Sequence, residues 1–132
     1  ILFIIYCCCS LPGPLVSAGT LNCRNGGSGR PGLLMTSAPV HPGNSGGPIV
    51  SRNGQLLGLV TSFSAYVVEP GLDAEAETHM TPRLNYGVPA NLLEPISRYL
   101  VTANIGDLDA LPVTDPHTLA LWAYAGTPTS KL

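Results

Sequence analysis

The residues with the most chemical content are Gly43-Asn44-Ser45-Gly46-Gly47-Pro48, a serine set among three glycines and closed by a proline. A nucleophilic serine needs its hydroxyl to project from a tight turn. It also needs backbone N–H groups converging beside it, to hold the oxyanion of a tetrahedral intermediate. Glycines permit such a turn and let a substrate backbone come close. Ser45 is therefore the candidate nucleophile, with the amides of Gly43 and Ser45 as candidate oxyanion donors. Asn44, Gly46, Gly47 and Pro48 are the candidates for shaping the loop.

Serine chemistry also requires a histidine to take the hydroxyl proton and a carboxylate to orient that histidine. His41 is the one histidine before Ser45; it sits on the same loop and reads as a loop residue rather than a base facing the hydroxyl across a cleft. No Asp or Glu precedes Ser45. His79 and His117 follow it and read as surface positions. They enter the chemistry only if Gly43-x-Ser45-x-Gly47 is the nucleophile elbow of an α/β-hydrolase, where a helix follows the serine directly. Pro48 and a hairpin signal follow here instead.

The elements that must position this loop are short and mostly β. Residues 13–22 contain a strand-like run, 24–32 a glycine-rich loop, and 33–38 a second apolar run. Residues 39–48 hold three prolines and three glycines, so they form a shaped loop. A strand at 49–51 meets Asn53-Gly54, a strong hairpin signal because both residues tolerate positive φ. Residues 56–68 read as a long strand rich in β-branched and aromatic residues. Residues 69–83 read as a solvated loop carrying four of the eight acidic residues. A short strand at 84–89 leads to Asn91, the expected cap of a helix running to about Ala103. Leu92, Leu93, Ile96, Tyr99, Leu100 and Ala103 give that helix one apolar face, and Pro95 falls early enough in it to be tolerated. Residues 104–132 have weak periodicity and read as a partly mobile tail.

Composition narrows the classes. The 132 residues suffice for one domain or part of one. The chain is 45% hydrophobic and only 11% charged, with a net charge of -2. A basic nucleic-acid footprint is absent, and nothing suggests electrostatic attachment to a membrane. The apolar run at 1–9 is too short for a bilayer span, which takes about 20 residues. Cys7, Cys8, Cys9 and Cys23 match neither a zinc spacing nor a disulfide framework, which favours an intracellular chain. Acylation of the cysteine cluster is conceivable; apolar strand residues are the plainer reading. The sequence opens on Ile1 rather than methionine, and the expectation is a piece of a longer protein.

The hexapeptide Gly43–Pro48 resembles the nucleophile loop of trypsin-like serine proteases. The longer run HPGNSGGPIVSRNGQLLGLVTS is similar to the Deg, or high-temperature-requirement, branch of that family, as is LNYGVP followed by a helix. The resemblance implies the fold: the second antiparallel β-barrel of a chymotrypsin-type protease, followed by a helix and a tail. It implies a division into 1–12, an unplaced N-terminal edge; 13–103, barrel and helix; and 104–132, a tail. It implies that the base and its orienter come from a first barrel, and that this chain alone is inactive. It also implies that the strand after the hairpin pairs with substrate backbone, making Thr61, Ser62 and Phe63 the substrate-strand candidates. Six positions before the nucleophile, where enzymes selective for basic residues carry aspartate, stands Pro39, so a small or apolar substrate residue is expected. No metal or organic cofactor is implied.

The sequence closes on Ser130-Lys131-Leu132, which reads as a peroxisomal targeting signal recognised by an import receptor. With the protease loop, it gives a resemblance to the peroxisomal processing members of the Deg branch. These act in the matrix, removing leader peptides from imported enzymes and processing enzymes of β-oxidation. The implied partners are peptide or protein substrates, the import receptor and further copies of the chain; nucleic acid and membrane are not implied. Two other readings stand beside this one. A lone second barrel could be a non-catalytic module that binds substrate segments or regulates a relative, and an α/β-hydrolase would place a helix straight after Ser45.

Overall fold

In the computed structural model, residues 2–7, 14–41, 43–68, 77–111 and 115–126 are described. Seven strands come first: β1 (Leu2–Cys7), β2 (Pro14–Gly19), β3 (Leu21–Asn25), β4 (Pro31–Thr36), β5 (Pro48–Ser51), β6 (Leu56–Val68) and β7 (Glu77–Pro89). Helix α1 (Ala90–Thr102), a 3-10 helix (Ile105–Ala110) and helix α2 (Pro116–Gly126) follow. The strands lie in the order β2-β1-β5-β6-β7-β4-β3, every pairing antiparallel. Only Thr20 separates β2 from β3, so the two ends of that order are halves of one bent strand. The sheet thereby returns on itself as a barrel, as the mostly antiparallel reading expects.

The bend at Thr20 is tied to the segment that leads to the nucleophile. The Ser37 amide donates to the Thr20 carbonyl at 3.2 Å, and the Thr20 amide donates to Ser37 Oγ at 3.0 Å. Ser17 Oγ donates to the Pro39 carbonyl at 2.7 Å. Gly19 sits so close that a Cβ there would lie 2.3 Å from the Ala38 amide nitrogen, which no side chain can do. Inside the barrel, Leu34, Ala38, Val40, Ile49 and Val60 form the buried cluster, with Leu57 packed against it.

Several elements differ from the sequence reading. The edge segment 1–12, unplaced by sequence, contains β1, which is hydrogen-bonded between β2 and β5. The hairpin at Asn53-Gly54 is present, but only Gly54 has positive φ, at 78°. Its amide donates to the Ser51 carbonyl at 2.9 Å, and the Ser51 amide donates to the Gln55 carbonyl at 2.8 Å. This is a three-residue loop with a glycine bulge rather than a two-residue turn. The register slips between Ile49 and Val50 to match.

The loop expected over 69–83 is strand from Glu77 onward, because β7 pairs with the outer half of β6 from Val68↔Glu77 to Ala65↔Met80. Polar residues at 77–83 hide that pairing from a periodicity argument. The helix expected from Asn91 begins at Ala90 behind Pro89, with no side-chain cap. Asn91 Nδ2 instead donates to the Pro31 carbonyl at 3.1 Å. On α1, Pro95 is buried while Leu100 of the expected apolar face is 76% exposed.

The tail read as partly mobile contains α2. Asp115 Oδ2 accepts from the amides of Thr118 (2.9 Å) and Gly27 (3.2 Å), so one carboxylate caps the helix and fastens it to the β3–β4 hairpin. Donation from the Thr118 hydroxyl and amide, with smaller help from Gly27, holds the Asp115 carboxyl below its usual range. Trp122 Nε1 donates to the Gly32 carbonyl at 2.9 Å. The acidic positions at 69–75, the cysteines at 8 and 9, and Ser130-Lys131-Leu132 lie outside the described residues.

Candidate active site

Strand β4 delivers the chain to the loop, and buried hydrogen bonds fix its path. Thr36 Oγ1 accepts from the Ala38 amide at 3.0 Å. Asn85, on β7 and 5% exposed, donates its Nδ2 to the Ala38 carbonyl at 2.8 Å. A tight turn follows, in which the Asn44 amide donates to the His41 carbonyl at 3.0 Å. The Gly47 amide donates to the Asn44 carbonyl at 2.8 Å, closing a second turn around Ser45. Gly43 and Gly46 have φ of 98° and 83°, values that favour glycine, which is the physical reason for those glycines in the loop.

The outgoing arm is zipped to β6. The Gly46 amide donates to the Val60 carbonyl at 2.8 Å, and the Val60 amide donates to the Gly47 carbonyl at 2.9 Å. These bonds continue the β5–β6 ladder two residues beyond Pro48↔Leu59. Ser45 is thereby set against the middle of β6, exposed, with its Oγ donating to the Thr61 carbonyl at 3.1 Å. Among the described residues, no acceptor takes the Ser45 amide hydrogen.

The register of β6 on β7 slips at this point. Val60 faces Gly87 and Ser62 faces Tyr86, so Thr61 is the surplus residue of a β-bulge. Bulges re-aim the groups beside them and are common next to functional sites. Along this stretch β5 has already ended, and β7 lies on the other side.

Ser45 opens onto a cavity of about 170 Å³ lined by Val40, His41, Asn44, Val60, Thr61, Ser62 and Phe63. The structure thus brings the nucleophile candidate and all three substrate-strand candidates to one place. Val40 and Val60 make its walls apolar, and among the described residues no Asp, Glu, Lys or Arg lines it. Asn44 is 3% exposed and its Nδ2 has no hydrogen-bond partner among the described residues, an unusual state for a buried donor. His41 lines the cavity as well, a placement that its reading as a plain loop residue missed. Asn85 was missed altogether; a single polar residue inside the apolar run LNYGV was the signal for it.

His79 and His117 do not join the site. His79 pairs with Tyr66 on the outer half of β7. His117 sits on α2 with its Nε2 3.1 Å from the Asn25 carbonyl. After Ser45 the chain enters strand β5, not a helix, which removes the α/β-hydrolase elbow.

Comparison with known proteins agrees with this geometry. Residues 9–59 match the model of the trypsin-like peptidase domain. Over 127 residues the chain is 33% identical to a protein of Homo sapiens and to one of Mus musculus, each named peroxisomal leader peptide-processing protease. Those matches take in 91% of this chain and 21% of each relative. The serine protease Do-like HtrB of Bacillus subtilis is 36% identical over 64 residues, 48% of this chain and 11% of that protein. The chain therefore spans about a fifth of the length of the first two relatives.

Proposed function

As a relative of the trypsin-like peptidases that carries a chymotrypsin-type barrel, this chain provides, we propose, the nucleophile half of a serine endopeptidase. Ser45 attacks the substrate carbonyl carbon. The amides of Gly43 and Ser45 receive the oxyanion, worth about 2.7–4 kcal/mol per donor in comparable sites. A histidine outside the described residues takes the Ser45 proton, and a carboxylate there orients that histidine and stabilises its imidazolium. The observation that carries this reading is the placement of Ser45 against the bulge at Thr61, at the mouth of the apolar cavity.

The substrate in this reading is a peptide strand laid along Thr61, Ser62 and Phe63 on the side of β6 that β5 has left. A small or apolar side chain enters the cavity, whose described lining residues offer no carboxylate for Lys or Arg. The names of the human and mouse relatives extend the proposal to processing of leader peptides in the peroxisome. Matrix enzymes, including those of β-oxidation, are the proposed substrates. Ser130-Lys131-Leu132 is the proposed contact with the import receptor. The proposed division keeps 13–103 as the protease half, extended by the strand β1 (Leu2–Cys7) that pairs with β2 and β5, and 104–132 as the segment carrying the signal.

One observation favours a second reading. Among the described residues that line the cavity, His41 alone carries an ordinarily titratable side chain, so a module that binds peptides without cleaving them fits as well. Fluorophosphonate labelling separates the two. The chain alone, the chain extended upstream to include a first barrel, and Ser45→Ala in both are compared. The endopeptidase reading expects labelling of the extended protein, lost in Ser45→Ala, and none of the short chain. No labelling of the extended protein would leave the binding module. Labelling of the short chain that vanishes in Ser45→Ala would place a working base within these residues and overturn the half-enzyme reading.

A further inference from the structure

We infer that the gap between α2 and the β3–β4 hairpin is a binding site for a small monocarboxylate with a short apolar tail. It shares no residue with the Ser45 cavity and stands independently of the protease reading. Its floor follows from the register of the hairpin. Arg24 faces Leu33, and Met35 lies two residues further along β4, so all three project from one side of the ladder. Helix α2 covers that side with His117, Ala120 and Leu121, whose spacing of three and four makes one helical face. The fastenings of α2 reach the turn end of the hairpin: the His117 ring to Asn25, Asp115 to Gly27 and Trp122 to Gly32. Between the two layers, where Ala120 offers only a methyl group, a cavity of about 270 Å³ remains. Leu33, Met35, Ala120 and Leu121 make its walls apolar, and Arg24 is exposed at its edge. Among the described residues the Arg24 guanidinium has no hydrogen-bond or ion-pair partner. The Asp115 carboxylate, two residues before His117, is turned onto the amides of Gly27 and Thr118 instead. His117 Nε2 donates to the Asn25 carbonyl, which can only accept, so the ring stands as a fixed wall. An unpaired guanidinium beside apolar walls selects a ligand with one negative charge and a hydrocarbon part. Its planar fork matches a carboxylate through two parallel N–H···O bonds, whereas a dianion carries more charge than one guanidinium offsets. At about 30 Å³ per non-hydrogen atom, the share of one water in the liquid, the cavity holds a chain of about six to eight carbons with its carboxylate at the rim.

The test is titration of the full 132-residue chain with octanoate, and with 1-octanol as its uncharged counterpart. Trp122, the chain's one tryptophan, adjoins Leu121 on α2 and reports occupancy by its fluorescence. Two variants act on different parts of the site: Arg24→Met removes the charge, and Ala120→Leu fills the cavity. The expected result is saturable binding of octanoate, about tenfold weaker in Arg24→Met and lost in Ala120→Leu. Binding of 1-octanol should be the same in Arg24→Met as in the unaltered chain. No saturable binding of octanoate to the unaltered chain overturns the site. Equal octanoate affinity in Arg24→Met overturns the carboxylate preference, and unchanged binding in Ala120→Leu places the ligand elsewhere and overturns the proposal. Melting curves followed by circular dichroism show which variants are folded, and either folded variant suffices to decide.

Discussion

Removing the Asn85 side chain should loosen the nucleophile loop without touching it. Asn85 Nδ2 is the donor to the Ala38 carbonyl at 2.8 Å, and both residues are buried. Among the described residues no other side chain donates to that carbonyl. In Asn85→Ala the bond itself is lost, a net of about 0.5–1.5 kcal/mol. The Ala38 carbonyl is then buried and unpaired, which costs about 1–3 kcal/mol. The two figures overlap, because the second includes the first bond's absence, so the expected destabilisation is about 1–3 kcal/mol. With a urea dependence of about 1–3 kcal/mol per molar, the unfolding midpoint should fall by about 1 M. Asn85→Asp should lose a similar amount near neutral pH, since a carboxylate keeps the size and cannot donate. Urea melts followed by circular dichroism measure both. A loss under about 0.5 kcal/mol in Asn85→Ala would refute the reasoning, and would mean that the Ala38 carbonyl finds water or that the loop is held elsewhere.

Two further outcomes follow from the helices. Ala103 closes α1 with φ of 55°, in the left-handed region, while its amide donates to the Tyr99 carbonyl at 2.8 Å. Ala103→Gly should therefore stabilise by about 0.5–1 kcal/mol, read as a higher melting temperature, and a lower one would refute it. Asp115 has a lowered folded pKa, so its ionised form favours the folded state. That contribution is complete above the unfolded carboxyl value of about 3.9 and is lost as pH falls through the lower folded value. The stability difference between the protein and Asp115→Asn should be flat from pH 7 to 5 and shrink below about 4. A difference that grows as pH falls would give the opposite sign and refute the assignment.

Residues that act through their own backbone were legible in the sequence. Gly43 and Gly46 carry positive φ, and Gly54 turns the hairpin, because each is needed by a turn only a few residues long. The hexapeptide therefore revealed the turn that carries Ser45 and the strands that follow it, and the β-rich run of 56–68 is one strand. What sequence could not supply depends on partners far along the chain. The length of β7 is set by β6, which pairs Glu77 with Val68 although 77–83 have no strand pattern. Helix α2 stands on an Asp115 whose second acceptor contact is to Gly27, 88 residues away. Asn91 looked like a cap because that role is local, yet its amide goes to Pro31, 60 residues away. The closure of the barrel through Thr20 and the gathering of Ser45, His41 and Thr61 at one cavity belong to the same class. Local conformational preference is written into a few adjacent residues. Which surfaces meet is decided only when the whole chain folds to satisfy its buried polar groups and bury its apolar ones.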